Sequence, residues 1–132
     1  MILFPFCITI VKKEGLEVAQ RAQIIRDLLG RRIRVVIDRP IGYDHQGIIY
    51  PVNYGYIPGT TAGDGEEQDV YILGVSEPIV EFDGVVIGAA IRKDDVEDKL
   101  IAAPAGMNFS REQIAQAIHF QEQFFDTEIV LL

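Results

Sequence analysis

The chain has 132 residues, 48% of them hydrophobic and 24% charged, which is enough for one globular domain with a core and too little for two. Its net charge of −8 argues against a nucleic-acid partner, because nucleic-acid backbones are held by clustered Lys and Arg. Cys7 is the only cysteine, so no internal disulfide can form, and we expect a reducing, cytoplasmic compartment.

The first thirty residues are predicted to form a strand followed by a helix. Residues 1–11 are rich in β-branched and aromatic side chains, are too few to span a membrane, and lack the features of an export signal. Residues 16–29 carry apolar side chains at helical spacing, and Gly30 stands at the position of a helix-ending glycine. We therefore expect an extension over residues 1–30 and a domain over 31–132. The alternative is that translation begins near Leu29.

The rest of the chain is predicted to be mainly β. Four short strands, each bounded by turn residues, are expected at 32–38, 68–75, 84–91 and 99–103. Ser110 and Gln113 form a capping-box pattern that begins a helix reaching about residue 125. Short strands closed by one helix predict an α+β fold of the OB type, a small five-stranded β-barrel with a C-terminal helix.

Two acidic clusters predict a site for divalent metal. The segment 50–60 reads YPVNYGYIPGT, and the first cluster follows it within DGEEQDV at residues 64–70. Each cluster holds four carboxylates: Asp64, Glu66, Glu67 and Asp69 in the first, and Asp94, Asp95, Glu97 and Asp98 in the second. Either cluster alone is typical of a solvated turn. Both together, behind a segment with three tyrosines, favour metal, since hard divalent cations take carboxylate oxygens from several loops.

These motifs and their order resemble the soluble, magnesium-dependent (family I) inorganic pyrophosphatases, whose signature reads roughly Tyr-Pro-x-Asn-Tyr-Gly-Tyr-Ile and then Asp-Gly-Asp-x-x-Asp-Val. The resemblance extends over about residues 33–128. It implies an OB-type barrel, Mg²⁺ as cofactor and hydrolysis of inorganic diphosphate to two phosphates. It also implies self-association, which the aromatic residues Phe4 and Phe6 favour, so we expect a homo-oligomer.

The resemblance implies metal ligands in both clusters. Asp64 and Asp69 fall on metal-binding acids of the first motif. In the second cluster the metal-binding acids fall most naturally on Asp94 and Glu97. The cluster is shortened relative to the family, so Asp95 and Asp98 stay open as alternatives.

The resemblance also implies roles toward water and phosphate. Glu66 falls on the acid that helps to activate the attacking water, although the family has the shorter Asp there. Lys99 falls on a phosphate-binding lysine and Tyr54 on an active-site tyrosine. Asp38 falls where a glutamate normally lies near the metals.

Several cationic phosphate contacts of the family are replaced here. The family's lysine and glutamate after the first strand fall on Gln46 and Ile48, and its Tyr-Lys pair in the C-terminal helix falls on Phe124 and Phe125. Four cationic or ionisable residues flank the expected site as replacements: Arg39, Arg92, Lys93 and His45. We expect Arg39 and Arg92 to bind substrate, and His45 to be a loop residue.

Three alternatives stay open from the sequence. One is a hydrolase of another small phosphoanhydride or phosphoester. Another is a catalytically silent module that binds metal or phosphate. The third, an OB-type nucleic-acid binder, is disfavoured by the acidity of the chain.

Overall fold

A computed structural model describes residues 20–21, 23–62 and 65–131. The strand predicted at residues 1–11 lies outside this range. Helix α1 comprises residues 20–21 and 23–28, inside the predicted helix. The other elements are β1 (Arg32–Arg39), β2 (Asp44–His45), β3 (Ile48–Ile49), β4 (Asn53–Ile57), β5 (Gln68–Ile72), β6 (Glu81–Arg92), β7 (Lys99–Ala103), α2 (Arg111–Glu122) and β8 (Thr127–Leu131).

Five strands close into a barrel in the order β1-β4-β5-β7-β6, because β6 pairs back onto β1. The neighbours are antiparallel except β5 and β7, which run parallel. The predicted fold class, a mainly β five-stranded barrel with a C-terminal helix, is confirmed. Strand β4 lies within the tyrosine-rich segment 50–60 and was not among the four predicted strands.

One edge of strand β6 serves two partners in succession. Residues 81–85 pair with β1, and residues 88–92 pair with β8. Between them the backbone of Val86 exchanges hydrogen bonds of 2.8 and 3.0 Å with Gly30 and Arg31. Strand β8 was not predicted, because five residues after a helix give too short a pattern to distinguish from a tail.

The core divides between the barrel interior and the space under α2. Helix α1 contributes Ile25 to the first part, while Tyr71 and Ile114 belong to the second. Ser110 caps α2, and its reciprocal hydrogen bonds with Gln113 complete the predicted capping box. Among the described residues, no helix has both the length and the apolar character needed to cross a bilayer.

Glycine 55 allows strands β4 and β1 to approach each other closely. A Cβ atom at Gly55 would lie 1.9 Å from the carbonyl oxygen of Val36, a distance that no side chain can adopt. The glycine of the tyrosine-rich segment therefore has a steric role in closing the barrel, and it brings Tyr54 to the same end as the acidic residues.

Candidate active site

Lys99 lies between two of the predicted metal-binding carboxylates. Its ammonium group donates to Asp69 Oδ2 and to Glu97 Oε2, each at 2.6 Å, and the residue is only 2% exposed. Burial by itself would lower the pKa of Lys99, but Tyr54 and the two carboxylates outweigh it and raise the pKa. Lys99 is therefore a permanent cation that holds Asp69 of β5 and Glu97 together.

Tyr54 stands beside this cation. The Lys99 nitrogen lies 5.5 Å from the centre of the Tyr54 ring. Burial raises the pKa of the Tyr54 phenol, although the charge of Lys99 opposes the shift. The phenol therefore stays protonated at neutral pH and is available as a hydrogen-bond donor.

These groups line a cleft of about 450 Å³ at one end of the barrel. A second hollow of about 400 Å³ shares three acidic residues with it, namely Asp38, Glu66 and Asp69. Glu67 lines only the second hollow, where its carboxylate accepts from the backbone N–H of Gly59 at 3.0 Å. Asp64 lies outside the described residues. The structure thus brings most of the first acidic cluster to one wall.

Arg39 differs from Lys99 and Arg92, the other permanent cations of the cleft, which both form ion pairs. Its Nη1 donates to the Tyr50 hydroxyl at 2.6 Å, and its guanidinium lies 5.6 and 5.5 Å from the ring centres of Tyr50 and Tyr54. Among the described residues no carboxylate forms an ion pair with it. Burial would lower the pKa of Arg39, but the hydrogen bond to Tyr50 and the electrostatic effects of Tyr50, Tyr54 and Asp38 together outweigh it and raise the pKa.

Arg92 also lines the cleft, but its charge is already paired. The residue is 3% exposed and donates to both carboxylate oxygens of Glu122, with Nε–Oε1 at 3.1 Å and Nη2–Oε2 at 2.7 Å. The Phe125 ring covers its guanidinium at 3.6 Å. Lys93, another replacement cation, is exposed and lies 3.8 Å from Asp126. Of the replacement cations, Arg39 and His45 are therefore the better placed to meet a ligand.

The four acids of the second cluster diverge in space. Glu97 faces Lys99, and Asp95 lies 3.4 Å from Nη1 of Arg92. The Asp94 carboxylate accepts from the backbone N–H of Asp126 at 3.1 Å. Asp98 is buried and points toward α1. The sequence could not separate these orientations, since adjacent acids in a loop look alike.

The donor set suits a hard divalent cation. Among the described residues, no three Asp, Glu, His or Cys side chains form a ready ligand cage. Asp38, Glu66, Asp69 and Glu97 nevertheless line one cleft with oxygen donors, and Lys99 supplies one positive charge to two of them. Asp38 is exposed, yet partial desolvation in the cleft raises its pKa. The charge of Arg39 lowers the pKa of Asp38, and the charge of Asp69 raises it further. Four carboxylates on one cleft fit a magnesium ion, which prefers oxygen ligands.

Polar residues that the sequence analysis missed support the cleft from behind. The Tyr50 hydroxyl donates to Gln121 Oε1 at 2.5 Å, and Gln121 Nε2 donates to the Tyr71 hydroxyl at 2.9 Å. Tyr71 donates in turn to Glu122 Oε2 at 2.6 Å. This chain of hydrogen bonds joins Arg39 to Arg92 through α2. Its members are far apart in sequence. Tyr50 begins the tyrosine-rich motif, but no motif marks Tyr71, Gln121 or Glu122.

Comparison with known proteins finds one family. Residues 16–128 match a family model described as inorganic pyrophosphatase. The inorganic pyrophosphatase of Caulobacter vibrioides is 31% identical over 88 residues, covering 57% of this chain and 48% of that protein. That of Xylella fastidiosa is 38% identical over 66 residues, covering 46% of this chain and 36% of that protein. The chain thus spans about half or less of the length of these curated relatives.

Solved structures share the fold. The crystal structure of inorganic pyrophosphatase from Ehrlichia chaffeensis superposes with a TM-score of 0.61 at 20% identity, covering 76% of this chain and 85% of that one. The enzyme from Neisseria gonorrhoeae gives a TM-score of 0.54 at 24% identity, covering 69% and 72% of the two chains. At these identities the likeness establishes the barrel architecture alone.

Proposed function

Because the chain belongs to the inorganic pyrophosphatase family, we propose that it hydrolyses inorganic diphosphate to two phosphates, with Mg²⁺ bound in the acidic cleft. The observation that carries the proposal is the contact of Lys99 with Asp69 and Glu97, beside Tyr54. It brings together carboxylates for metal and donors for phosphate, which are the two needs of phosphoryl transfer.

The proposed magnesium ligands are Asp64, Asp69 and Glu97, with Asp94 or Asp95 as a further ligand from the loop. Asp98 is the least suited of the predicted ligands, because its carboxylate is bound by Arg21. When bound, magnesium supplies positive charge that offsets the charge of the phosphate oxygens. Asp69 and Glu97 hold their positions through Lys99.

The remaining residues of the cleft bind substrate and move a proton. Water attacks one phosphorus atom, the bond from that phosphorus to the bridging oxygen breaks, and two phosphates leave. Glu66, which lines the cleft, accepts the proton that the water loses. Arg39 and Lys99 offset charge on the phosphate oxygens, and the Tyr54 phenol donates to one of them. Arg92 contributes its charge from the cleft wall behind Phe125.

The test is phosphate release from diphosphate by the purified chain, with and without magnesium. Asp69→Ala should reduce magnesium-dependent release by more than about tenfold, since it removes a ligand and a partner of Lys99. Asp83→Ala, a loss of the same charge at an exposed position of β6, should leave release unchanged. Release that persists in Asp69→Ala contradicts the proposed site. Magnesium binding without release would indicate the silent module instead.

One observation favours a second candidate, hydrolysis of another small phosphoanhydride or phosphoester. Three of the cleft residues, His45, Ile48 and Phe125, form a wall without permanent charge, and a cleft of about 450 Å³ leaves room for an organic group. A panel of diphosphate, nucleoside diphosphates and simple phosphate monoesters separates the two. A higher kcat/KM for a substituted substrate than for diphosphate would favour this candidate.

Three further parts of the proposal concern the whole chain. We propose a cytoplasmic location, which the single cysteine, Cys7, supports. We propose a homo-oligomer, testable by light scattering coupled to size-exclusion chromatography. We also propose that residues 31–132 form the barrel domain and that residues 1–30 are an extension. Ile25 of α1 packs in the barrel core, so the described part of this extension is docked on the barrel.

A further inference from the structure

Arg21 of helix α1 binds the loop that carries the second acidic cluster. Its Nε lies 2.7 Å from Asp98 Oδ2 and its Nη2 lies 2.6 Å from Asp98 Oδ1. The same Nη2 donates to the backbone carbonyl oxygens of Asp95 at 2.8 Å and Arg92 at 3.0 Å. The two side chains are 12% and 6% exposed. One guanidinium thus holds the beginning, the middle and the end of the loop.

Asp98 is the point at which these contacts converge. Its Oδ1 also accepts the backbone N–H of Arg92 at 3.1 Å, and its carbonyl oxygen accepts from Gln68 Nε2 at 2.8 Å. Asp98 lies between Glu97 and Lys99, so its orientation fixes both neighbours. Without Arg21, the backbone N–H of Arg92 would be the only hydrogen-bond donor to the buried Asp98 carboxylate among the described residues. The loop would then rearrange to hydrate it.

We propose that Arg21 is a positioning residue of the acidic cleft, fixing residues 93–98 so that Glu97 and Lys99 face a bound magnesium ion. The inference deepens the proposed function and rests on it for the identity of the ion. Arg21 lines neither hollow of the site, so it acts through Asp98. Outer contacts of this kind typically change metal affinity by about 10–100-fold.

The experiment compares magnesium affinity, measured by calorimetry, in four variants of the full chain. Arg21→Ala should weaken magnesium binding by about tenfold or more. Arg21→Lys should fall between wild type and Arg21→Ala, since one ammonium group cannot bond the carboxylate bidentately and also reach both carbonyls. Asp98→Asn should weaken binding too, because a neutral amide holds the guanidinium less strongly. Arg26→Ala is the matched control on the same helix, where Arg26 is exposed and donates a hydrogen bond to the neighbouring Gln23.

The outcomes separate positioning from general stability. If Arg21→Ala folds with a lowered melting temperature but binds magnesium as tightly as wild type, the contact is merely structural and the inference is overturned. An equal loss of magnesium affinity in Arg26→Ala would also overturn it. If Arg21→Ala does not fold, Arg21→Lys and Asp98→Asn carry the comparison. For the enzyme reaction, the magnesium concentration for half-maximal rate should rise about as much as the dissociation constant. The KM for diphosphate at saturating magnesium should change less.

The proposed function can fail separately. If the wild-type chain binds no magnesium, amide hydrogen exchange of residues 93–98 decides the inference. Faster exchange in Arg21→Ala than in Arg26→Ala supports positioning of the loop, and equal exchange overturns it.

Discussion

Arg92 and Glu122 form a buried bidentate ion pair between the end of β6 and the end of α2, with N–O distances of 3.1 and 2.7 Å and side-chain exposures of 4% and 6%. Such a pair is costly to desolvate, and it persists because its remaining lone pairs are satisfied. Tyr71 and Thr127 donate to the Glu122 carboxylate at 2.6 and 2.7 Å. The pair therefore fixes α2 against the barrel behind the cleft.

The first prediction concerns the stability of this pair. Glu122→Ala should lower the free energy of unfolding by about 3–5 kcal/mol, because it removes the bidentate partner of the buried Arg92 guanidinium. Urea denaturation measures the change. Glu112→Ala, the same substitution at an exposed position of the first turn of α2, should cost less than about 1 kcal/mol. Equal losses in the two variants would contradict a special role for the pair.

The second prediction concerns pH. Burial would raise the pKa of Glu122, but hydrogen bonds from Arg92, Thr127 and Tyr71 outweigh it and lower the pKa below its ordinary value of 4.5. An acid with a lowered pKa in the folded state stabilises the protein above its unfolded pKa and loses that contribution as the pH falls. The stability difference between wild type and Glu122→Gln should be constant above about pH 5.5 and shrink below pH 4.5. A difference that is flat down to pH 3 would contradict the shift.

The third prediction concerns the hydrogen bond from Arg39 to Tyr50, which positions the guanidinium for substrate. Tyr50→Phe removes the hydroxyl that joins Arg39 to Gln121, and the residue is 1% exposed. The freed guanidinium should bind phosphate less well, which would raise the KM for diphosphate about fivefold, as expected for one hydrogen bond of about 1 kcal/mol. Steady-state kinetics measures it. Tyr43→Phe, at a residue 40% exposed, should leave KM unchanged.

The fourth prediction concerns Lys99 as an internal cation. Lys99→Met keeps the volume but leaves Asp69 and Glu97 without their shared donor, which should lower stability in EDTA by about 1–3 kcal/mol. Magnesium should then raise the melting temperature of the variant more than that of wild type, because the ion replaces the lost charge. Thermal denaturation with and without magnesium measures it. Lys93→Met, at an exposed lysine, is the control. An equal rise in melting temperature with magnesium in wild type and both variants would contradict this prediction.

The sequence predicts those parts of the fold that depend on neighbours along the chain. Strand β7 has the predicted bounds 99–103, and the Ser110 cap is where the capping-box pattern placed it. Strand β4 was harder to predict because Pro51 and Gly55 weaken the alternation that marks a strand. Its pairing with β1 depends on a close approach that only the folded barrel reveals.

The sequence predicts several residues of the candidate site, but not how their side chains are arranged in space. Motif resemblance selected Tyr54, Asp69 and Lys99, and the structure brings these three together at one cleft. It favoured Glu97 but left Asp98 open, because Asp98 is held by Arg21, 77 positions away in the chain. Contacts over such separations follow from the topology of the barrel and leave no local signal.

The pairing of β8 with β6 should protect the protein from aggregation, because it covers an edge of β6. Its residues 88–91 read GAAI, an apolar run, and the backbone of residues 88–92 pairs with β8. Removing residues 127–132 would uncover that edge while leaving the five barrel strands paired, and an uncovered apolar edge is a template for strand addition between molecules. A chain shortened in this way should therefore reveal its defect first as aggregation, before the barrel itself unfolds.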